Sequence, residues 1–376
     1  MFTQTKPTES RIFPTKEDVL LAITNVNSLD LGSSSIQEIS EALWPIIENL
    51  IITLPPTPIN TIIFRGRICQ SKPTHLKEII HPTPEFAKNY GRCNDIGQPI
   101  FYGSIESSVP TNELHVKDGQ YYVEGAYITT KEMRLSHVGF TSQTEQRLAS
   151  KRNLPTAHTF VKEIAKYGEL NQIIYDYLAD AFTREIPENK TYLYKISIAI
   201  SNHLMDGECI EGLTYPSMAA KGNADNIALK PSFVNSGLRL LYTTYSKITS
   251  ISNGRIFYEF LDTSDELNSD NGIIWSGRHL GYPIPDGKMS YIEVNGRSVP
   301  IDPNGERIYE KCIGQKIEKK TSFKRAFDTQ NRKLEYSKTY FNKYNIHLSM
   351  DIMVMLTPVM HHTDPVWDLA HQNLMA

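Results

Sequence analysis

The chain has 376 residues, 40% hydrophobic and 22% charged, with 21 Gly and 21 Pro. That suffices for one large domain or two smaller ones and excludes a disulfide-stapled miniature, a collagen-like chain and a wholly disordered one. Lys+Arg 39 against Asp+Glu 42 gives a formal charge of −3, so no global positive field gathers nucleic acid or anionic lipid.

The four cysteines, Cys69, Cys93, Cys209 and Cys312, make neither a zinc-ligand spacing nor a disulfide framework, and a reducing compartment is expected. No run approaches the ~18 continuous apolar residues of a membrane span. The longest candidate, 352–360, is broken by Thr357 and Pro358, and the first residues carry no unbroken apolar leader. A cytoplasmic protein with no membrane partner is expected.

In chain order, residues 1–30 are polar with little periodicity and read as a lead-in. Ser35 and Glu38 have the form of a capping box, and Ile36, Ile39, Leu43, Ile46, Ile47 and Leu50 follow at helical spacing. A helix is predicted over 36–53, kinked or split at Pro45. The Pro-rich turn 54–58 ends it, and 59–67 reads as a β-branched strand. Further strands are predicted at 98–103 and 121–129.

A long helical pattern runs over 157–182, with Phe160, Ile164, Tyr167, Leu170, Ile174 and Tyr177 at three- and four-residue steps. Residues 192–205 fit strand alternation and helical spacing equally. After 240, short Tyr, Ile and Val segments alternate with Asn-Gly turns, which predicts a β-rich extension. Within it, 315–345 holds nine Lys and Arg against three Asp and Glu, interleaved with aromatics. No recognised nucleic-acid motif accompanies that run, so a solvated or protein-docking face is the better reading and nucleic acid is not an expected partner.

Chemistry concentrates at Tyr90-Gly91-Arg92-Cys93-Asn94-Asp95-Ile96-Gly97-Gln98-Pro99-Ile100-Phe101-Tyr102 and the polar stretch reaching Glu113. Gly91 and Gly97 allow a tight turn or close approach to a ligand, and Arg92 offers a fork for phosphate or carboxylate. Tyr102 adds a ring face and a hydroxyl, and Glu113 a carboxylate. Each has a plain structural alternative: a turn, a core ring, a solvated acid. His361-His362 have no partner at metal-ligand spacing, and no metal is expected.

The pattern Gly91-Arg92-x-Asn94-x-x-Gly97-x-Pro99-x-x-Tyr102 with Glu113 eleven residues on resembles the RES-domain family. Gly212-Leu213-Thr214-Tyr215-Pro216-Ser217 followed by Asn226-Ile227-Ala228-Leu229, and Phe64-Arg65-Gly66-Arg67, are similar to that family's other two blocks. The resemblance covers about 60–232. It implies an α+β fold with a split-sheet core like that of ADP-ribosyltransferases, a helix at 192–205, and an enzyme that cleaves NAD by phosphorolysis or hydrolysis.

It further implies a toxin with an antitoxin-type protein partner. Arg92, Tyr102 and Glu113 correspond to its catalytic set; Arg65, Ser217 and Asn94 are carried over as substrate-binding. NAD is then a substrate, inorganic phosphate a co-substrate, and no cofactor is needed. Cys93 departs from the pattern, and Pro110 makes 107–112 a poor helix interior, so Glu113 is expected near the start of a helix. The expected organisation is a helical cap over 1–58, a catalytic core over 59–240 and a β-rich extension over 241–376.

Overall fold

The computed structural model describes residues 14–151, 160, 162–252, 255–277, 290–294 and 297–301. Its helices are α1 (Lys16–Asn27), α2 (Ile36–Ile47), α3 (Val109–Glu113), α4 (Ser142–Leu148), α5 (Glu169–Phe182), α6 (Tyr194–Leu204) and α7 (Pro231–Gly237). The strands are β1 (Pro56–Thr57), β2 (Ile62–Cys69), β3 (Phe101–Gly103), β4 (Tyr121–Thr129), β5 (Met133–His137) and β6 (Gly212–Pro216). They continue with β7 (Asp225–Leu229), β8 (Leu238–Ser252), β9 (Arg255–Ser264), β10 (Ser290–Val294) and β11 (Arg297–Ile301). This is an α+β fold.

The chain divides into two units. The first comprises Met1–Thr57, His81–Tyr102 and Met133–Ser236; the second Pro58–Ile80, Gly103–Glu132 and Gly237–Ala376. In the first unit, α1 and α2 each begin with a capping box, at Thr15/Asp18 and Ser35/Glu38. The α1 helix lies where the sequence reads as a lead-in. Val19, Ala22 and Val26 are buried, but Leu20 and Leu21 are exposed between them, which blurs the apolar stripe. The α2 helix ends at Ile47 rather than 53. Pro45 cannot bond back to the preceding turn, and the helix closes within two residues of it.

The expected single helix over 157–182 is interrupted. Gly168 takes φ +92, a conformation that a helix cannot continue through, and α5 starts at the next residue. Part of that expected helix, 157–159 and 161, lies outside the described residues, as do 315–345 and His361-His362. The ambiguous segment is the helix α6, whose Ile196, Ser197, Ile198, Ala199, Ile200 and Ser201 are all buried.

The sheet of the first unit has the order β1-β5-β6-β7-β3. The β5 and β6 strands are parallel, in the register Leu135↔Gly212, and the crossover between them holds α4, α5 and α6. β6 and β7 pair antiparallel through Tyr215↔Asn226. One core gathers Leu43 of α2, Leu178 and Phe182 of α5, Ile200 of α6, Leu213 of β6 and Cys93.

The sheet of the second unit has the order β2-β4-β8-β9, antiparallel throughout. The β8 strand starts at Leu238 and pairs along β4, so a strand expected beyond 240 shares a sheet with β2 and β4. β10 and β11 form a separate antiparallel hairpin. No helix among the described residues is long and apolar enough to cross a membrane.

Candidate functional site

The segment 89–98 is closed by its own polar groups. Gly91 N–H donates to Asn94 O at 3.0 Å. Asn94 Nδ2 donates to Asn89 O at 3.1 Å and Asp95 O at 2.9 Å. Gly97, at φ +80, sends its N–H to Ala87 O at 2.7 Å. Gln98 accepts from Asp95 N–H at 2.9 Å and donates to Asn202 of α6 at 3.1 Å.

Tyr102, the middle residue of β3, ties this loop down. Its hydroxyl donates to Asn94 Oδ1 at 2.8 Å and accepts from Cys93 N–H at 2.8 Å. Burial raises its pKa well above the usual phenol value, and neighbouring Cys93 adds to the rise, so the donor proton is kept. The glycine at 91 is a steric condition of the bond. A Cβ there would lie 2.2 Å from Asn94 Oδ1 and 2.8 Å from the Tyr102 hydroxyl. Gly91, Asn94 and Tyr102 therefore form one interdependent set, and Cys93, fully buried, has its thiol pushed up to about 12 by burial.

Arg92 turns the opposite way from a free anion clamp. Nη1 donates to Phe182 O and, at 3.3 Å, to Arg184 O; Nη2 also reaches Arg184 O at 3.3 Å. These are carbonyls at the end of α5, where a cation is favoured. The guanidinium also lies 5.9 Å from the Phe182 ring centre and 5.5 Å from that of Tyr194. Tyr215 meets Phe182 edge-on at 5.2 Å.

Ser217, directly after β6, is fully buried. Its hydroxyl accepts from Ala220 N–H at 3.0 Å, its N–H donates to Ala224 O and its carbonyl accepts from Gly222, both at 2.8 Å. That geometry fixes a turn.

The second unit holds Arg65 and Glu113. Arg65, on β2, donates from Nε to Ile80 O at 3.2 Å, and the neighbouring Arg67 donates to Glu78 O. Between them Gly66 leaves room for Tyr122, whose hydroxyl would lie 2.4 Å and ring carbons 2.6 and 2.8 Å from a Cβ at 66. Tyr122 in turn donates to buried Glu124 at 2.9 Å. Pro110 is accommodated in the first turn of α3, but that helix has five residues, so Glu113 is its last residue and is exposed. Glu113, expected near the start of a helix, is the fifth residue from that start and also its end.

The structure thus brings Arg92, Asn94 and Tyr102 together in the first unit, which also contains Ser217, whereas Arg65 and Glu113 belong to the second. The sequence reading missed Glu124 and two further arginines, Arg147 of α4 and Arg184, that bond groups at the end of α5, and no local pattern marks any of the three. Among the described residues no group of three or more His, Cys, Asp or Glu could hold a metal ion. No protein-family model, curated protein or solved structure matches this chain.

Proposed function

We propose that this chain is an RES-type enzyme that consumes NAD, breaking the nicotinamide–ribose bond by phosphorolysis or hydrolysis, in the manner of a toxin held by an antitoxin-type partner. The observation that carries this reading is the Gly91–Asn94–Tyr102 interlock, which gives the spacing of the resembling pattern a physical reason.

The chemistry asks little of the protein. Nicotinamide departs as a neutral ring from a cationic one, so no acid is required, and the ribose passes through an oxocarbenium ion. One carboxylate, Glu113, is then enough to stabilise the developing charge. Arg92, with Nε left over from its carbonyl bonds, is a cation for the pyrophosphate; Arg65 carries that role from the resembling pattern alone. Tyr102 supplies a ring beside the ribose, and Asn94 and Ser217 hold the backbone that surrounds it.

The test is product analysis of NAD incubated with the purified chain, with and without phosphate. Nicotinamide with ADP-ribose 1″-phosphate means phosphorolysis, and nicotinamide with ADP-ribose means hydrolysis. Glu113→Gln is expected to lower release by about 100-fold. No nicotinamide from the wild type, or undiminished release by Glu113→Gln, overturns the reading.

A non-catalytic binding module is a second reading, favoured because Asn94 spends its amide inside the loop; NAD would then bind without turnover. Transfer to a protein would instead leave labelled ADP-ribose on a macromolecule.

A further inference from the structure

Three arginines from separate parts of the first unit meet at the end of α5. Arg92 bonds the carbonyls of Phe182 and Arg184. Arg147, the penultimate residue of α4, donates to Asp180 Oδ1 at 2.5 Å and to both the hydroxyl and the carbonyl of Thr183. Arg184 donates to Asp180 Oδ2 from Nη2 at 3.0 Å and from Nε at 3.3 Å. Two guanidinium groups thus share one carboxylate, while the third is held on the adjoining carbonyls.

Among the groups that bond one another here, the charge does not balance. The end of α5 contributes about half a negative charge and Asp180 one more, against three permanent cations. Hydrogen-bonding capacity is left over as well. Nη1 of Arg184 and the Nε groups of Arg92 and Arg147 make no hydrogen bond among the described residues. Arg147 and Arg184 have side chains 39% and 45% exposed, so a solute can reach them. Their other edges are already fixed, which lowers the entropy lost when a ligand docks.

We propose that Arg184, Arg147 and Arg92 form a binding site for a phosphoryl group, either inorganic phosphate or the phosphate of a nucleotide. A tetrahedral oxyanion accepts from several guanidinium groups at once through short charge-assisted bonds, which a carboxylate in Asp180's position does only in part. This site shares Arg92 with the NAD-cleaving reading and goes beyond it through Arg147 and Arg184, which have no role there, and it stands whether or not the chain turns NAD over.

The test is calorimetric titration of the full chain at low ionic strength with inorganic phosphate in one arm and ADP in the other. Saturable binding is expected, weakened at least 10-fold by Arg184→Gln, unchanged by the exposed control Arg239→Gln and reduced by added salt. Comparable affinity in the two arms identifies free phosphate as the ligand; ADP at least 10-fold tighter identifies a nucleotide. Asp180→Asn removes the competing charge and is expected to tighten binding at least 3-fold, a gain that misfolding cannot produce. No saturable binding in either arm, wild-type affinity in Arg184→Gln, or no gain in Asp180→Asn overturns the proposal.

Discussion

Both units set a tyrosine against a missing Cβ, but with different tolerance for change. At Gly91 the tyrosine hydroxyl meets an asparagine belonging to the loop 89–98; at Gly66 a whole ring lies across the strand and reaches a buried carboxylate along β4. The loop version depends on hydrogen bonds made within a short stretch. The sheet version depends on register, since Gly66 faces Glu124 and its neighbours are fixed by the pairing of β2 with β4. A motif glycine can therefore be local in one place and tertiary in another, with the same residue type serving both.

The largest effect is expected at the sheet. Gly66→Ala drives a methyl into a stiff ring and is expected to cost about 3 kcal/mol in chemical denaturation. Adding Glu124→Gln to Gly66→Ala should recover little, because a ring carbon still lies 2.6 Å from the new Cβ.

Acid separates the units next. His137, in the first unit, is fully buried, stacks on Phe160 at 4.1 Å and meets the Tyr175 hydroxyl at 2.8 Å. Its Nε2 has no hydrogen-bond partner among the described residues. Burial pushes its pKa down to about 4 from 6.5. The neutral ring favours the fold, so stability is complete above about pH 6.5 and falls as the pH drops towards 4, by about 3 kcal/mol in total. Denaturation midpoints across that range should lose this slope in His137→Phe.

A smaller cost, about 2 kcal/mol, is expected for Gly91→Ala, since an asparagine amide in a loop can turn aside. Here Asn94→Ala in the same chain should restore most of the added loss, and a double-mutant cycle measures the coupling. The smallest effect, about 1 kcal/mol, is expected for Thr15→Ala or Ser35→Ala, read by thermal unfolding.

Those two caps show what was legible in the sequence. Ser35 with Glu38 announces α2, whereas Thr15 with Asp18 uses the shorter acid and precedes a diluted apolar stripe, so α1 is hidden. The α6 segment is buried on nearly every side, which is why alternation and helical spacing fit it equally. The break at Gly168 is a single φ value that periodicity averages away. At the site, Asn94 and Tyr102 are eight residues apart and their spacing could be read. The carbonyls that hold Arg92 are about ninety residues further on, and only the packing of α5 brings them there.

The most direct measurement of the central claim, that the interlocked loop serves NAD cleavage, is nicotinamide release by Tyr102→Phe beside the wild type, with both proteins confirmed folded by circular dichroism. Phenylalanine keeps the ring and removes the hydroxyl that joins Cys93 to Asn94. Release by the wild type that falls at least 10-fold in the folded variant is the expected result; equal rates, or no release by either protein, would contradict it.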